Sequence, residues 1–148
     1  MKNKYFWLFL LPILLFLACN NKERKEVTIT YGNGEPQKIE HVYYQGNKRI
    51  VNKVEYYYLN GKLESEYELK DGKKHGKQIF YYKHGQVELE ENYENGMLNG
   101  KSTQYYVTGE PDYEASYKDG LPHGEWKYYD DNGNLYLTQT FENGTFIE

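Results

Sequence analysis

Tyrosines and carboxylates recur along this sequence at positions where they could form a binding surface. Four tyrosines follow one another at intervals of 24 residues, and they are Tyr57, Tyr81, Tyr105 and Tyr129. Acidic side chains recur at the same interval in two sets, which are Glu64, Glu88 and Asp112, and Glu66, Glu90 and Glu114. Rigid, amphipathic tyrosine rings suit protein contacts, and a stripe of carboxylates would attract a basic partner. The alternative interpretation is structural, because Tyr favours strands and cross-strand aromatic pairs stabilise a sheet, while surface carboxylates keep it soluble.

Catalytic or metal chemistry finds little support in the same residues. His75 and His123 share one repeat position, but Asn99 occupies that position between them, so no row of metal ligands forms. The Gly-x-x-x-Gly segments lie between strands, whereas a phosphate-binding loop opens a helix. Carboxylates on an open sheet also lack the enclosed pocket that tunes catalytic pKa values. We therefore predict that the protein is not an enzyme and uses no metal and no cofactor.

Glycines reveal the elements that must position these side chains. Three glycine series keep the 24-residue interval, and they are Gly61, Gly85, Gly109 and Gly133; Gly72, Gly96, Gly120 and Gly144; and Gly76, Gly100 and Gly124. The first series follows Asn60, His84, Thr108 and Asn132, and each pair is predicted as a two-residue hairpin turn. Apolar and polar residues alternate after each turn, which is typical of a half-buried antiparallel strand. The sequence therefore predicts an all-β fold, an elongated antiparallel sheet of tandem 24-residue β-hairpin repeats.

A two-residue turn also fixes which residues oppose each other. It predicts an apolar face, interpreted as the core, with Phe80 opposite Leu89 and Tyr82 opposite Val87. It predicts a second face with these pairs: Tyr81 and Glu88, Ile79 and Glu90, Tyr57 and Glu64, Tyr105 and Asp112, Thr103 and Glu114, Tyr129 and Tyr136. The tyrosine and carboxylate columns share this second face, which makes it the candidate binding face.

The segment Tyr117-Lys-Asp-Gly-Leu-Pro-His-Gly-Glu-Trp-Lys-Tyr-Tyr129 resembles the MORN-repeat variant family, in a bacterial subgroup described as antitoxin-like. The aromatic-x-x-Gly core recurs at Tyr93–Gly96 and Phe141–Gly144, and Gln78 and Ser102 stand where the pattern has Trp126. The resemblance covers residues 57–148, whereas residues 27–56 read as degenerate repeats or an N-terminal cap. It implies successive MORN-type hairpins that bind a protein or phospholipid, and the subgroup implies neutralisation of a toxin-like partner.

The first residues are predicted to be a leader. Lys2 and Lys4 precede an apolar run that ends at Ala18, too short to span a bilayer but suited to a signal peptide. Phe16-Leu-Ala-Cys19 resembles the lipobox of bacterial lipoproteins, which implies cleavage after residue 18 and acylation of Cys19. We expect residues 1–18 to be a lipoprotein signal peptide and residues 19–26 to be the acylated cysteine and a polar tether. The same resemblance to bacterial lipoproteins implies that Asn20 after the cysteine favours the outer membrane, on its periplasmic or surface face.

Net charge and cysteine content limit the classes of function that the sequence allows. The chain has 148 residues and a net charge of −4, so it lacks the cationic surplus that nucleic-acid binding needs. Its single Cys excludes a disulfide framework. Three functions remain: a lipid-anchored module that binds a protein through the sheet face, with an antitoxin- or immunity-like role; a surface that stacks tyrosines on an envelope polysaccharide; and a phospholipid-binding surface. Removing residues 1–18 takes away two lysines and makes the charge −6, which opposes binding to anionic lipid.

Overall fold

A computed structural model describes residues 22–148 as one twelve-stranded sheet in which every neighbouring pair of strands is antiparallel. The strands are β1 (Arg24–Thr30), β2 (Pro36–Gln45), β3 (Lys48–Tyr57), β4 (Leu63–Lys70), β5 (Lys73–Tyr81), β6 (Val87–Glu94), β7 (Met97–Tyr105), β8 (Pro111–Lys118), β9 (Leu121–Pro122), β10 (Gly124–Tyr129), β11 (Leu135–Glu142) and β12 (Thr145–Phe146). They follow one another in chain order, and both β9 and β10 pair with β8. This confirms the predicted all-β sheet of tandem hairpins.

The predicted leader and Cys19 lie outside the described residues. No helix among residues 22–148 is long and apolar enough to cross a membrane.

The turns of the first glycine series are one residue longer than predicted. The N–H of Gly85 donates to the carbonyl of Tyr82 at 2.7 Å, and the N–H of Tyr82 donates to the carbonyl of Gln86 at 2.9 Å. This is a three-residue loop, in which only the glycine has a positive φ, +101° at Gly85. The predicted two-residue length is wrong because a two-residue type I′ turn needs positive φ at both positions, which residues such as Thr108 resist.

Two-residue turns occur instead at the other end of each hairpin. Each joins an Asp or Asn with positive φ to the following glycine, for example Asp71 at +53° and Gly72 at +75°. Lys70 pairs directly with Lys73 across that turn. The equivalent pairs are Asn95-Gly96, Asp119-Gly120 and Asn143-Gly144. Asp-Gly and Asn-Gly are the preferred sequences of such type I′ turns, so the local residues account for these turns.

The longer loops change the register at the end of each hairpin. Ile79 faces Glu90, Phe80 faces Leu89 and Thr103 faces Glu114, as the sequence predicts. The next pairs differ, because Tyr57, Tyr81, Tyr105 and Tyr129 face Leu63, Val87, Pro111 and Leu135. The residues predicted opposite these tyrosines are the extra residues of β-bulges instead, namely Glu64, Glu88, Asp112 and Tyr136.

The sheet is a single layer, and extensive contacts join only strands that are neighbours in it. The buried apolar residues are Val42, Val54 and Ala115, and they share the interior with buried polar residues such as Ser65 and Ser102. The residues interpreted as core do not reach that degree of burial, since Phe80, Leu89, Tyr82 and Val87 are all half-buried. That interpretation is wrong because no second layer covers the apolar face in residues 22–148.

A second tyrosine series joins the hairpins to one another. The hydroxyl of Tyr58 donates to the carbonyl of Tyr81 at 2.7 Å, and that of Tyr82 donates to the carbonyl of Tyr105 at 2.7 Å. Tyr106 and Tyr31 make the same bond, to Tyr129 at 2.8 Å and to Tyr57 at 2.7 Å. These hydrogen bonds fix each loop against the next hairpin.

Candidate functional site

One face of the sheet carries a repeated cluster of a tyrosine, a carboxylate and a lysine. We call it the polar face, and it contains Tyr57, Tyr81, Tyr105, Tyr129, Lys53, Lys77, Lys101, Glu55, Glu66, Glu90 and Glu114. In one cluster the Tyr81 hydroxyl donates to Glu66 at 2.7 Å, and Lys53 forms a salt bridge with the same carboxylate. In another, Glu114 lies 2.6 Å from Lys101 Nζ and 3.3 Å from the Tyr129 hydroxyl.

The cluster between these two is less complete. Lys77 Nζ lies 3.6 Å from Glu90, and the Tyr105 hydroxyl has no hydrogen-bond partner among the described residues. Six of the predicted site residues therefore lie on this face, and they are Tyr57, Tyr81, Tyr105, Tyr129, Glu90 and Glu114. Most of its polar groups bind each other, which supports the structural interpretation of this tyrosine column.

The ionisation of these groups reflects their mutual contacts. The Lys101 ammonium holds the pKa of Glu114 below its usual value. Burial opposes the ionisation of Glu66, but the contacts with Lys53 and Tyr81 outweigh it and lower the Glu66 pKa. Burial and the charge of Glu66 together raise the pKa of Tyr81. At neutral pH Glu66 and Glu114 are therefore ionised and Tyr81 is protonated.

A buried charged cluster ends the polar face near the N-terminus, and sequence reasoning missed it. His41 and Glu55 are each 6% exposed, and His41 Nε2 lies 2.9 Å from Glu55 Oε1. The other ring nitrogen, Nδ1, lies 2.6 Å from Glu23 Oε1. Burial opposes ionisation of Glu55, but His41 and the Tyr57 hydroxyl, 2.8 Å away, lower its pKa to about 2. His41 stands outside the 24-residue period, so the repeat pattern could not mark it.

The remaining predicted site residues lie in a different environment. Glu64, Glu88 and Asp112 are the bulge residues, and we call them the bulge carboxylates. No lysine, arginine or histidine of residues 22–148 lies within salt-bridge distance of any of them. Their charges act on Tyr58, Tyr82 and Tyr106 rather than on the polar-face tyrosines, and Asp112 raises the pKa of Tyr106 to about 12. The predicted site is therefore divided into two groups.

The opposite side of the sheet is aromatic. We call it the aromatic face, and it contains Tyr56, Tyr67, Phe80, Tyr93, Tyr113, Tyr117, Trp126, Tyr128 and Phe141. The rings of Trp126 lie 5.3 Å from Tyr117 and 4.7 Å from Phe141, and Tyr113 lies 6.2 Å from Tyr128. All nine side chains are half-buried. A hollow of about 180 Å³ on this side is lined by Phe80, Leu89, Gln104 and the bulge carboxylate Glu88.

Lys74 packs against tyrosine rings of this face in the repeat that contains Gln78. Lys74 Nζ lies 5.3 Å from the ring centre of Tyr67 and 4.8 Å from that of Tyr93, and it donates to Gln78 at 2.5 Å. Gln78 stands where the C-terminal repeat has Trp126, yet it is only 4% exposed. Cation–π contacts and a hydrogen bond thus replace the contacts of the missing indole.

No group of three His, Cys, Asp or Glu residues among the described residues has the geometry of a metal site. The arrangement offers two extended surfaces rather than an enclosed catalytic pocket. What it can do chemically is bind a partner along the sheet.

Comparison with known proteins identifies the repeats. No curated protein matches the chain. A crystal structure of the GtfA/B complex bound to UDP and GlcNAc is similar over 72% of this chain, with 19% identity and a TM-score of 0.29. The chain spans 20% of the length of that protein.

A family model described as MORN repeat variant matches residues 51–71, 74–95, 98–119 and 122–143, which is more than half of the chain. Repeats of this kind indicate a binding role. The chain belongs to the MORN repeat variant family.

Proposed function

We propose that this protein is a non-catalytic, lipid-anchored module that binds a partner protein through the aromatic face and the bulge carboxylates beside it. The partner in this proposal presents apolar groups flanked by Lys or Arg. An antitoxin- or immunity-like role fits such a module, with a toxin-like protein as the partner whose active surface the sheet would cover.

One arrangement carries the proposal. Nine aromatic side chains lie half-buried on a face that no second layer covers in residues 22–148, and contiguous apolar surface that stays partly accessible to solvent marks interaction sites. Aromatic side chains also dominate the energetics of protein interfaces. Because a single-layer sheet holds them on regular strands, little ordering would be needed on binding.

The charges on the sheet indicate which side chains the proposed partner would present. The polar-face carboxylates Glu66, Glu90 and Glu114 each form a salt bridge with a lysine of the sheet, whereas the bulge carboxylates Glu64, Glu88 and Asp112 form no salt bridge among the described residues. An unpaired carboxylate gains more from a partner's Lys or Arg, because no internal salt bridge must first be broken. This favours a basic protein over a neutral polysaccharide.

Attachment to the envelope rests on the predicted lipobox. Acylation of Cys19 would hold the protein at the membrane, since each buried methylene contributes about 0.8 kcal/mol and more than one acyl chain gives stable anchoring. The predicted tether is shorter than residues 19–26, because β1 already begins at Arg24. The polar residues before β1 would place the sheet at a short distance from the bilayer. We infer an outer-membrane location, on the periplasmic or surface face.

Two triple variants with the same change of charge would test the binding face. One is Glu64→Gln, Glu88→Gln, Asp112→Asn, and its control is Glu66→Gln, Glu90→Gln, Glu114→Gln on the polar face. Crosslinked complexes would be captured from the native envelope with the wild-type protein and both variants, after circular dichroism shows that all three fold.

We expect one protein to be captured by the wild type and the polar-face control and lost with the bulge variant. Equal capture by all three would place binding elsewhere and contradict the proposed face. Capture of envelope glycan in place of a protein would contradict the proposed partner class and favour stacking of the aromatic face on polysaccharide.

A further inference from the structure

The strand β11, at the C-terminal edge of the sheet, is only partly paired on its outer side. β11 pairs with β10 on one side, and on the other side β12 covers only Phe141 and Glu142. The N–H of Thr140 donates to the carbonyl of Glu148 and the N–H of Ile147 donates to the carbonyl of Thr140, which extends that cover by one residue. The backbone of Leu135–Gln139 therefore has no strand partner on its outer side among residues 22–148.

The sequence of this edge strand lacks the charges of its counterparts. Where β4, β6 and β8 carry Glu66, Glu90 and Glu114, β11 carries Thr138. Where those strands carry the bulge carboxylates, β11 carries Tyr136, which is 63% exposed. Leu135 and Leu137 are 52% and 42% exposed. The segment Leu135–Phe141 thus has no charged residue, no Pro and no Gly.

The first half of the opposite edge strand shows the usual protection, although Val27 and Ile29 in its second half are uncharged and exposed. β1 carries Arg24, Lys25 and Glu26, and charged side chains on an edge strand prevent pairing with other chains. An uncharged, apolar edge with free backbone groups is suited to the addition of a strand. The contrast between the two edges indicates that a further strand pairs with the β11 edge.

We propose that β11 pairs antiparallel with β11 of a second copy of this chain, which extends the sheet across a two-fold axis. Such an axis places the central residues of β11 opposite their own counterparts, so that any charge there would face a like charge. The segment LYLTQTF of β11, which ends before Glu142, is neutral and meets this requirement, whereas β4, β6 and β8 would each oppose carboxylates. The axis is perpendicular to the sheet, so the two aromatic faces join on one side.

Cysteine crosslinking of the full-length protein in its native envelope would test this pairing. Cys19 is the single cysteine of the chain, so a cysteine placed in β11 can be followed against the unsubstituted protein. Cysteines would be introduced one at a time at Tyr136, Leu137, Thr138 and Gln139. Thr28→Cys in β1 is the matched control, because it lies on the other exposed edge.

We expect oxidation to give disulfide-linked dimers at alternate β11 positions and none at residue 28 or in the unsubstituted protein. Leu137→Lys, combined with the best crosslinking position, should weaken dimer formation by about tenfold or more because two like charges then face each other. Circular dichroism of Leu137→Lys checks that it folds. Absence of dimers at all four β11 positions, or crosslinking of β11 to a different protein, would overturn the proposal.

Discussion

At the scale of single residues, neighbouring tyrosines have different roles. Tyr82 donates a hydrogen bond of 2.7 Å to the carbonyl of Tyr105, whereas the Tyr105 hydroxyl has no partner in the described part of the chain. Tyr82→Phe should therefore lower the free energy of unfolding by about 1 kcal/mol, the usual contribution of such a bond. Tyr105→Phe is the matched control and should leave it nearly unchanged. Urea unfolding measures both values, and equal losses would show that Tyr82 does not join the hairpins.

The ionisation of Glu55 makes the stability of the fold depend on pH. Its folded-state pKa of about 2 lies below the ordinary value of 4.5, so ionised Glu55 stabilises the fold above pH 4.5. This stabilisation, on the order of 3 kcal/mol, is lost as pH falls from 4.5 to 2. Glu55→Gln should unfold more easily at pH 7 and show a weaker loss of stability on acidification. The exposed Glu35→Gln is the control, and thermal unfolding between pH 7 and 2 compares them. Parallel curves for Glu55→Gln and the wild type would contradict this role.

At the scale of the element, the three-residue loops depend on glycine. Gly109 has a φ of +98°, a left-handed conformation that a β-branched side chain resists. We expect Gly109→Val to destabilise the protein by about 1–3 kcal/mol. Gly32→Val is the control, because the φ of Gly32 lies outside that region and its added Cβ would meet nothing within 4 Å. Thermal unfolding gives the comparison, and an unchanged melting temperature for Gly109→Val would refute the strained loop.

The same elements show what the sequence could and could not predict. Glycine spacing and period-two alternation are local signals, and they were sufficient for the hairpins and for pairs such as Phe80 with Leu89. The bulge at Glu88 was not predictable from alternation, because one extra loop residue moves the register without altering the pattern. The division of the candidate site into a polar-face group and the bulge carboxylates follows from that single residue.

At the scale of the whole molecule, contacts between successive strands decide which surfaces are available. The salt bridge of Lys53 with Glu66 joins β3 to β4, and the hydroxyl that completes the cluster comes from Tyr81 in β5. No single repeat contains all three groups, so the sequence of one repeat cannot show that the carboxylate is already satisfied. The absence of a second layer over the aromatic face is likewise a property of the assembled sheet of residues 22–148.

The whole molecule also makes a prediction about the membrane. Without its predicted leader the chain carries a net charge of −6, and anionic bilayers repel such a protein. A protein that begins at Asn20 should therefore stay at the bottom of a flotation gradient with vesicles containing one anionic lipid in five. The lipidated protein is the control and should float with neutral and anionic vesicles alike, since buried acyl chains supply the affinity. Flotation of the unlipidated protein with anionic vesicles alone would instead show that the repeats themselves bind phospholipid.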